Sequence, residues 1–116
     1  MIFDAEIERL VHRVVAVYAP EAVYLFGSMA KGCAGPRSDV DLLLVKESST
    51  PRYRRGRTVR GLLSSWDRHV DFLCYTPDEL ADEQRDPYSF VSAIMHTAVK
   101  IYERDARGGI VMLRSG

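Results

Sequence analysis

The chain reads as an α+β fold, a small mixed β-sheet with helices packed against it. Two observations lead there. Short apolar runs of strand length alternate with stretches whose apolar residues recur every three or four positions, in the order α-β-β-α-β-α-α-β. The length of 116 residues, 47% of them hydrophobic, provides for one packed core and fits a single domain.

The elements follow in order. Asp4 is placed to cap a first helix whose Ile7, Leu10, Val11, Val14 and Tyr18 form one apolar stripe, and Pro20 stops it. A strand over 22–26 leads into a turn at Gly27-Ser28, and residues 33–38, with Gly35-Pro36, read as a loop. The second strand, 39–45, is apolar on both faces after Asp41, the pattern of a central, covered strand. Ser48-Ser49-Thr50-Pro51 signals a helix start with proline at the first helical position, and the helix is expected to bury Val59, Leu62, Leu63 and Trp66. A third strand spans 69–75. Thr76-Pro77-Asp78-Glu79 opens a short helix, and Asp86-Pro87 opens another carrying Phe90, Val91 and Ile94. Residues 99–102 form a last short strand. The domain is thus expected to occupy 1–106. Residues 107–116, beginning Arg107-Gly108-Gly109, are expected to be a mobile tail despite Ile110 to Leu113.

Composition narrows the function. Sixteen basic residues balance sixteen acidic ones, so the global basic excess of a nucleic-acid binder is missing and direct nucleic-acid binding is not expected. The first six residues are acidic where a signal peptide is basic, and no apolar run reaches the length of a membrane span. A cytoplasmic location without membrane attachment is the expectation. Cys33 and Cys74 have no CxxC spacing and read as reduced thiols, Cys74 in the core.

The chemistry is concentrated in one stretch. Gly27-Ser28 precedes Asp39-Val40-Asp41, which runs into Leu42, Leu43, Leu44 and Val45. Side chains at i and i+2 share a strand face, roughly 6.5–7 Å apart. Such a pair suits two divalent ions about 3.5–4 Å apart, the clamp used in phosphoryl and nucleotidyl transfer. Gly27 lets the backbone approach phosphates closely, and the N–H groups and the Ser28 hydroxyl offer donors to their oxygens. The plainer reading is a turn and a solvated strand end. Apolar strands on both sides of the motif favour the chemistry. Asp71, between Val70 and Phe72, is costly on a strand without a partner. A metal ion shared with Asp39 and Asp41 would be one; an exposed edge strand is the alternative.

The residues from Leu25-Phe26-Gly27-Ser28 to Gly32, with Ser38-Asp39-Val40-Asp41 and the apolar run after it, resemble the minimal nucleotidyltransferases of the DNA polymerase β-like superfamily. Val70-Asp71-Phe72-Leu73 and Ile101-Tyr102-Glu103 resemble its later landmarks, so the likeness spans most of the chain. It is greatest to the antitoxin half of MNT–HEPN toxin–antitoxin pairs. The resemblance implies a polymerase β-type palm and two Mg²⁺ ions. Asp39 and Asp41 would contact both ions, and Asp71 the ion near the nucleophile. Gly27, Ser28 and Lys31, with Asp39 and Asp41, would hold the nucleoside triphosphate. It further implies transfer of AMP from ATP to a tyrosine of a HEPN-domain ribonuclease toxin. Lys31 stands where the family usually has arginine, and meets a phosphate as a point charge without a bidentate fork. Ala98 stands where glycine is common, which bears on a helix end and not on the site.

Other charged residues read more plainly. Arg52, Arg54, Arg55, Arg57 and Arg60 fall in the first turns of the expected helix, where positive charge opposes the helix dipole. A solvated helix face is the simpler reading, and an anionic contact the other. Ser38 is placed to cap the turn into the aspartate strand. His12, His69 and His96 lack mutual metal-ligand spacing. His69 shares a strand face with Asp71, although an ordinary, satisfied histidine is the expectation. Two other functions stay open: nucleotidyl transfer to a small molecule such as an aminoglycoside, and a non-catalytic antitoxin acting by binding alone. The residues leave a homo- or hetero-oligomer open as well.

Overall fold

A computed structural model of the chain describes residues 5–27 and 39–104, and the backbone of 110–112. Asp4, the 28–38 segment with Ser28, Lys31, Cys33 and Ser38, and Arg107 to Gly109 lie outside the described residues. Helix α1 (Ala5–Tyr18) is followed by β1 (Ala22–Phe26), β2 (Val40–Val45), a 3-10 turn (Arg52–Arg54) and α2 (Arg57–Leu63). Then come β3 (Val70–Tyr75), α3 (Pro77–Arg85), α4 (Phe90–Met95), β4 (Val99–Arg104) and β5 (Ile110–Met112). The strands form one five-stranded sheet in the order β3-β2-β1-β4-β5. β1 runs antiparallel to β2 and β4, β4 antiparallel to β5, and β2 parallel to β3. This is the mixed α+β sheet expected. β2 lies between β1 and β3, and Leu42, Leu43, Leu44 and Val45 are all buried, as its two-sided apolar pattern requires.

Alternation along the strands divides the core into two layers. Val40, Leu42 and Leu44 join the α1 stripe (Ile7, Leu10, Val11, Val14, Tyr18) and Val59 of α2 on one face. Leu43, Val45 and Tyr75 meet Leu80 of α3 and Val91 of α4 on the other. Residues 39, 41 and 43 share a strand face, so Asp39 and Asp41 belong to the α3/α4 side, at the end where β2 begins.

Three expectations change. The helix after Pro51 is not continuous. Gly56 has φ +74°, and a Cβ there would come 2.5 Å from Phe72 Cε2, so the chain turns through glycine between the 3-10 turn and α2. The last short helix is opened not by Asp86-Pro87 but by Ser89, whose hydroxyl accepts the Ser92 N–H at 3.0 Å. Phe90, at its start, is 63% exposed and not core. Within the segment expected to be a mobile tail, Ile110–Met112 pairs with β4 as strand β5.

The arginine cluster also divides. Arg55 is buried, and its guanidinium donates to both Glu79 oxygens, Nη1 to Oε1 at 2.5 Å and Nη2 to Oε2 at 3.0 Å. Its Nε donates to the Thr50 carbonyl at 2.7 Å. Glu79 in turn closes a capping box with Thr76 at the start of α3. The hydrogen bonds from Arg55 lead the causes that hold the Glu79 carboxyl down at about 2. Arg55 thus ties the 50–56 segment to α3, while Arg52, Arg54, Arg57 and Arg60 stay exposed.

Candidate active site

Strand register brings the acidic residues together. Asp41 and Asp71 are Cα partners across the parallel β2–β3 pair, and Phe26 is the partner of Asp41 on the β1 side. Asp39 precedes β2 by one residue. The Val40 N–H donates to the His69 carbonyl at 3.0 Å, which continues the ladder to the level of Asp39. Three carboxylates from two strands therefore stand at one end of one sheet face.

Gly27 closes the site from β1. The chain leaves Phe26 beside Asp41 and turns through Gly27 at φ +75°. A Cβ on Gly27 would lie 2.4 Å from Asp41 Oδ2. Glycine is required here both by the backbone conformation and by the carboxylate pressed against it. Ser28 and Lys31, the other expected nucleotide-binding residues, lie outside the described residues.

His69 is in the site, contrary to the expectation of an ordinary histidine. Its Nδ1 lies 3.3 Å from Asp39 Oδ2 and its Nε2 3.7 Å from Asp71 Oδ1. The spacing of His69 and Asp71 as i and i+2 on one strand was the sequence signal for it.

Electrostatics follow from this crowding. The Asp41 carboxyl is held above its usual value, first by burial and then by the charges of Asp71 and Asp39, with His69 opposing. The His69 imidazole is raised by its hydrogen bond to Asp39, then by the Asp71 charge. Both shifts have one cause: negative charge at the strand ends exceeds what the protein neutralises. Carboxylate oxygens are the donors that Mg²⁺ takes, and a cation would relieve the repulsion that raises Asp41. Among the described residues, no three His, Cys, Asp or Glu side chains are already arranged to hold a metal ion. His69 contacts Asp39 and Asp71, so closing their carboxylates on an ion requires its ring to turn aside. The donor set fits the ion.

No helix among the described residues is long and apolar enough to cross a membrane.

The model of the family described as polymerase beta, nucleotidyltransferase, matches residues 8–107. No curated protein matches. Among solved structures, a candidate nucleotidyltransferase from Sulfolobus solfataricus is similar with a TM-score of 0.60 at 22% identity, over 91% of this chain and 83% of its own. A toxin–antitoxin structure with AMP-PNP is similar with a TM-score of 0.53 at 21% identity, over 80% of this chain and 70% of its own. At these identities the two structures show the fold, and the family model, spanning most of the chain and the whole of the aspartate site, shows descent. The chain belongs to the polymerase β nucleotidyltransferase family.

Proposed function

We propose that the protein is a Mg²⁺-dependent adenylyltransferase that moves AMP from ATP onto a tyrosine of a partner HEPN ribonuclease, and so acts as its antitoxin. The observation that carries the catalytic part is the register of Asp41 with Asp71, with Asp39 and the Gly27 turn at the same sheet end. The partner part draws on the sequence likeness to MNT antitoxins, and on a structural relative that is a toxin–antitoxin with AMP-PNP.

Each residue has a distinct task in this reading. Asp39 and Asp41 hold two ions beside the triphosphate, and Asp71 holds the one facing the acceptor. Mg²⁺, when bound, neutralises charge on the phosphate oxygens and lowers the pKa of the acceptor hydroxyl. Gly27 brings the backbone of its turn close to the phosphates, with Ser28 and Lys31 as further contacts. The tyrosyl oxygen bonds to the α-phosphorus, and the bond from that phosphorus to the bridging oxygen breaks. Pyrophosphate leaves with the electron pair, and the phenolic proton passes to solvent, which reaches the exposed Asp39 and Asp71.

The test incubates the protein with Mg²⁺, each α-phosphate-labelled nucleoside triphosphate in turn, and the product of the neighbouring gene. Label from ATP on a tyrosine of that protein supports the reading. Label on an added aminoglycoside instead, or neutralisation with no label anywhere, refutes it.

A further inference from the structure

A cavity of about 450 Å³ opens at the outer edge of β3, walled by Arg60, Trp66, Arg68, His69, Asp71 and Phe72, among others. β3 is the edge strand, so the cavity lies across β2 from the Gly27 turn at the end of β1. The Arg60 guanidinium lies over the Phe72 ring, 5.2 Å from its centre, and is itself exposed. Arg68 is nearly buried and pairs with Glu6 of α1 at 3.7 Å.

We propose that this cavity seats the acceptor, and that it selects a tyrosine flanked by acidic residues on a partner chain. The inference rests on the reading of Asp71 as the carboxylate on the acceptor side, and adds the recognition chemistry. Trp66 and Phe72 offer apolar ring surface to an aromatic side chain, and Asp71 lies in the same wall. The volume falls within the roughly 300–1,000 Å³ of ordinary ligand pockets, which suits one ring with its adjoining backbone. Acidic neighbours of the tyrosine meet Arg60 and, three residues earlier on α2, the exposed Arg57. A nucleic-acid strand fits less well. It would need successive stacking platforms along an unbroken basic track, and here Asp67 and Asp71 interrupt the basic residues of the wall.

Trp66 is the chain's only tryptophan, so its fluorescence reports on the cavity without nucleotide, Mg²⁺ or turnover. The probes are the peptides Glu-Asp-Tyr-Glu-Asp and Lys-Arg-Tyr-Lys-Arg, titrated at low salt. The acidic peptide is expected to change Trp66 emission saturably and to bind at least about tenfold more tightly than the basic one. Arg60→Gln should reduce that preference several-fold, and Arg85→Gln, on α3 at the other sheet face, should not. Equal binding of the two peptides overturns the proposal. So does an equal loss in both variants, which would mark a bulk charge effect. A saturable change with ATP that the peptide competes away would assign the cavity to the nucleotide, and tighter binding of an oligonucleotide would assign it to nucleic acid; either overturns the proposal. Peptide selectivity without label transfer to any protein would keep the pocket and refute the enzymatic reading; transfer without selectivity would do the reverse.

Discussion

Asp41 and Asp71 face each other as Cα partners on parallel neighbouring strands, with Asp39 at the same end. The arrangement places like charges together, and burial and that repulsion raise the Asp41 carboxyl. A group that binds its proton more tightly in the fold than in the unfolded chain loses folding stability as it ionises. The site is therefore built at the expense of stability, as expected where charge is gathered for a ligand.

Gly27→Ala tests how tightly the turn is fitted to Asp41. The new Cβ would sit 2.4 Å from Asp41 Oδ2 at a positive φ, so the turn or the carboxylate must move. The expected cost is about 1–3 kcal/mol in denaturant unfolding, together with loss of nucleotide transfer of at least about a hundredfold. Wild-type stability and transfer in this variant would mean that the turn does not abut the carboxylate.

The Arg55–Glu79 pair gives a prediction about stability alone. Glu79→Gln leaves Arg55 buried without its counter-charge. The cost should be about 2 kcal/mol, less than for a wholly buried pair because Glu79 remains about a third exposed. The pH dependence has a definite sign. Glu79 titrates at about 2 in the fold against an ordinary 4.5, so its stabilisation is complete above about pH 4.5 and fades as pH falls toward 2. Acid unfolding should show this contribution in the wild type, and Glu79→Gln should lose it. Parallel acid-unfolding curves would contradict the pairing.

Asp71→Asn separates binding from chemistry. The triphosphate brings Mg²⁺ held largely by its own oxygens and needing one or two protein carboxylates, which Asp39 and Asp41 supply. The variant should bind Mg-ATP within about a factor of ten of wild type, roughly 1.4 kcal/mol, while single-turnover transfer falls by far more. Calorimetry beside single-turnover kinetics reads both. Equal losses in the two would show that the three aspartates do not divide the work this way.

Much of this was legible in the sequence because it depends on local pattern. Alternation in Val40 to Val45 marks a central strand whichever strands pair with it. The i, i+2 spacing of Asp39 and Asp41 fixes their common face. What escaped depends on partners distant in sequence. Arg55 looks like its exposed neighbours until Glu79, on another helix, receives its guanidinium. The break at Gly56 follows from the Phe72 ring packed against it, and strand β5 exists through β4. His69 was assigned as ordinary because its spacing shows its nearness to Asp71 but not to Asp39, which comes from the β2–β3 register.

The central claim is that the carboxylates at the strand ends perform nucleotidyl transfer and do not hold the fold together. Asp41→Asn tests it most directly, because Asp41 is the residue shared by the Gly27 contact and the Asp71 register. The measurement is single-turnover transfer from α-phosphate-labelled ATP with Mg²⁺ and the partner protein, beside thermal unfolding of the same sample at neutral pH. The account predicts transfer reduced by several orders of magnitude, with a melting temperature equal to or above that of the wild type. Transfer near the wild-type rate in a folded Asp41→Asn protein would contradict it.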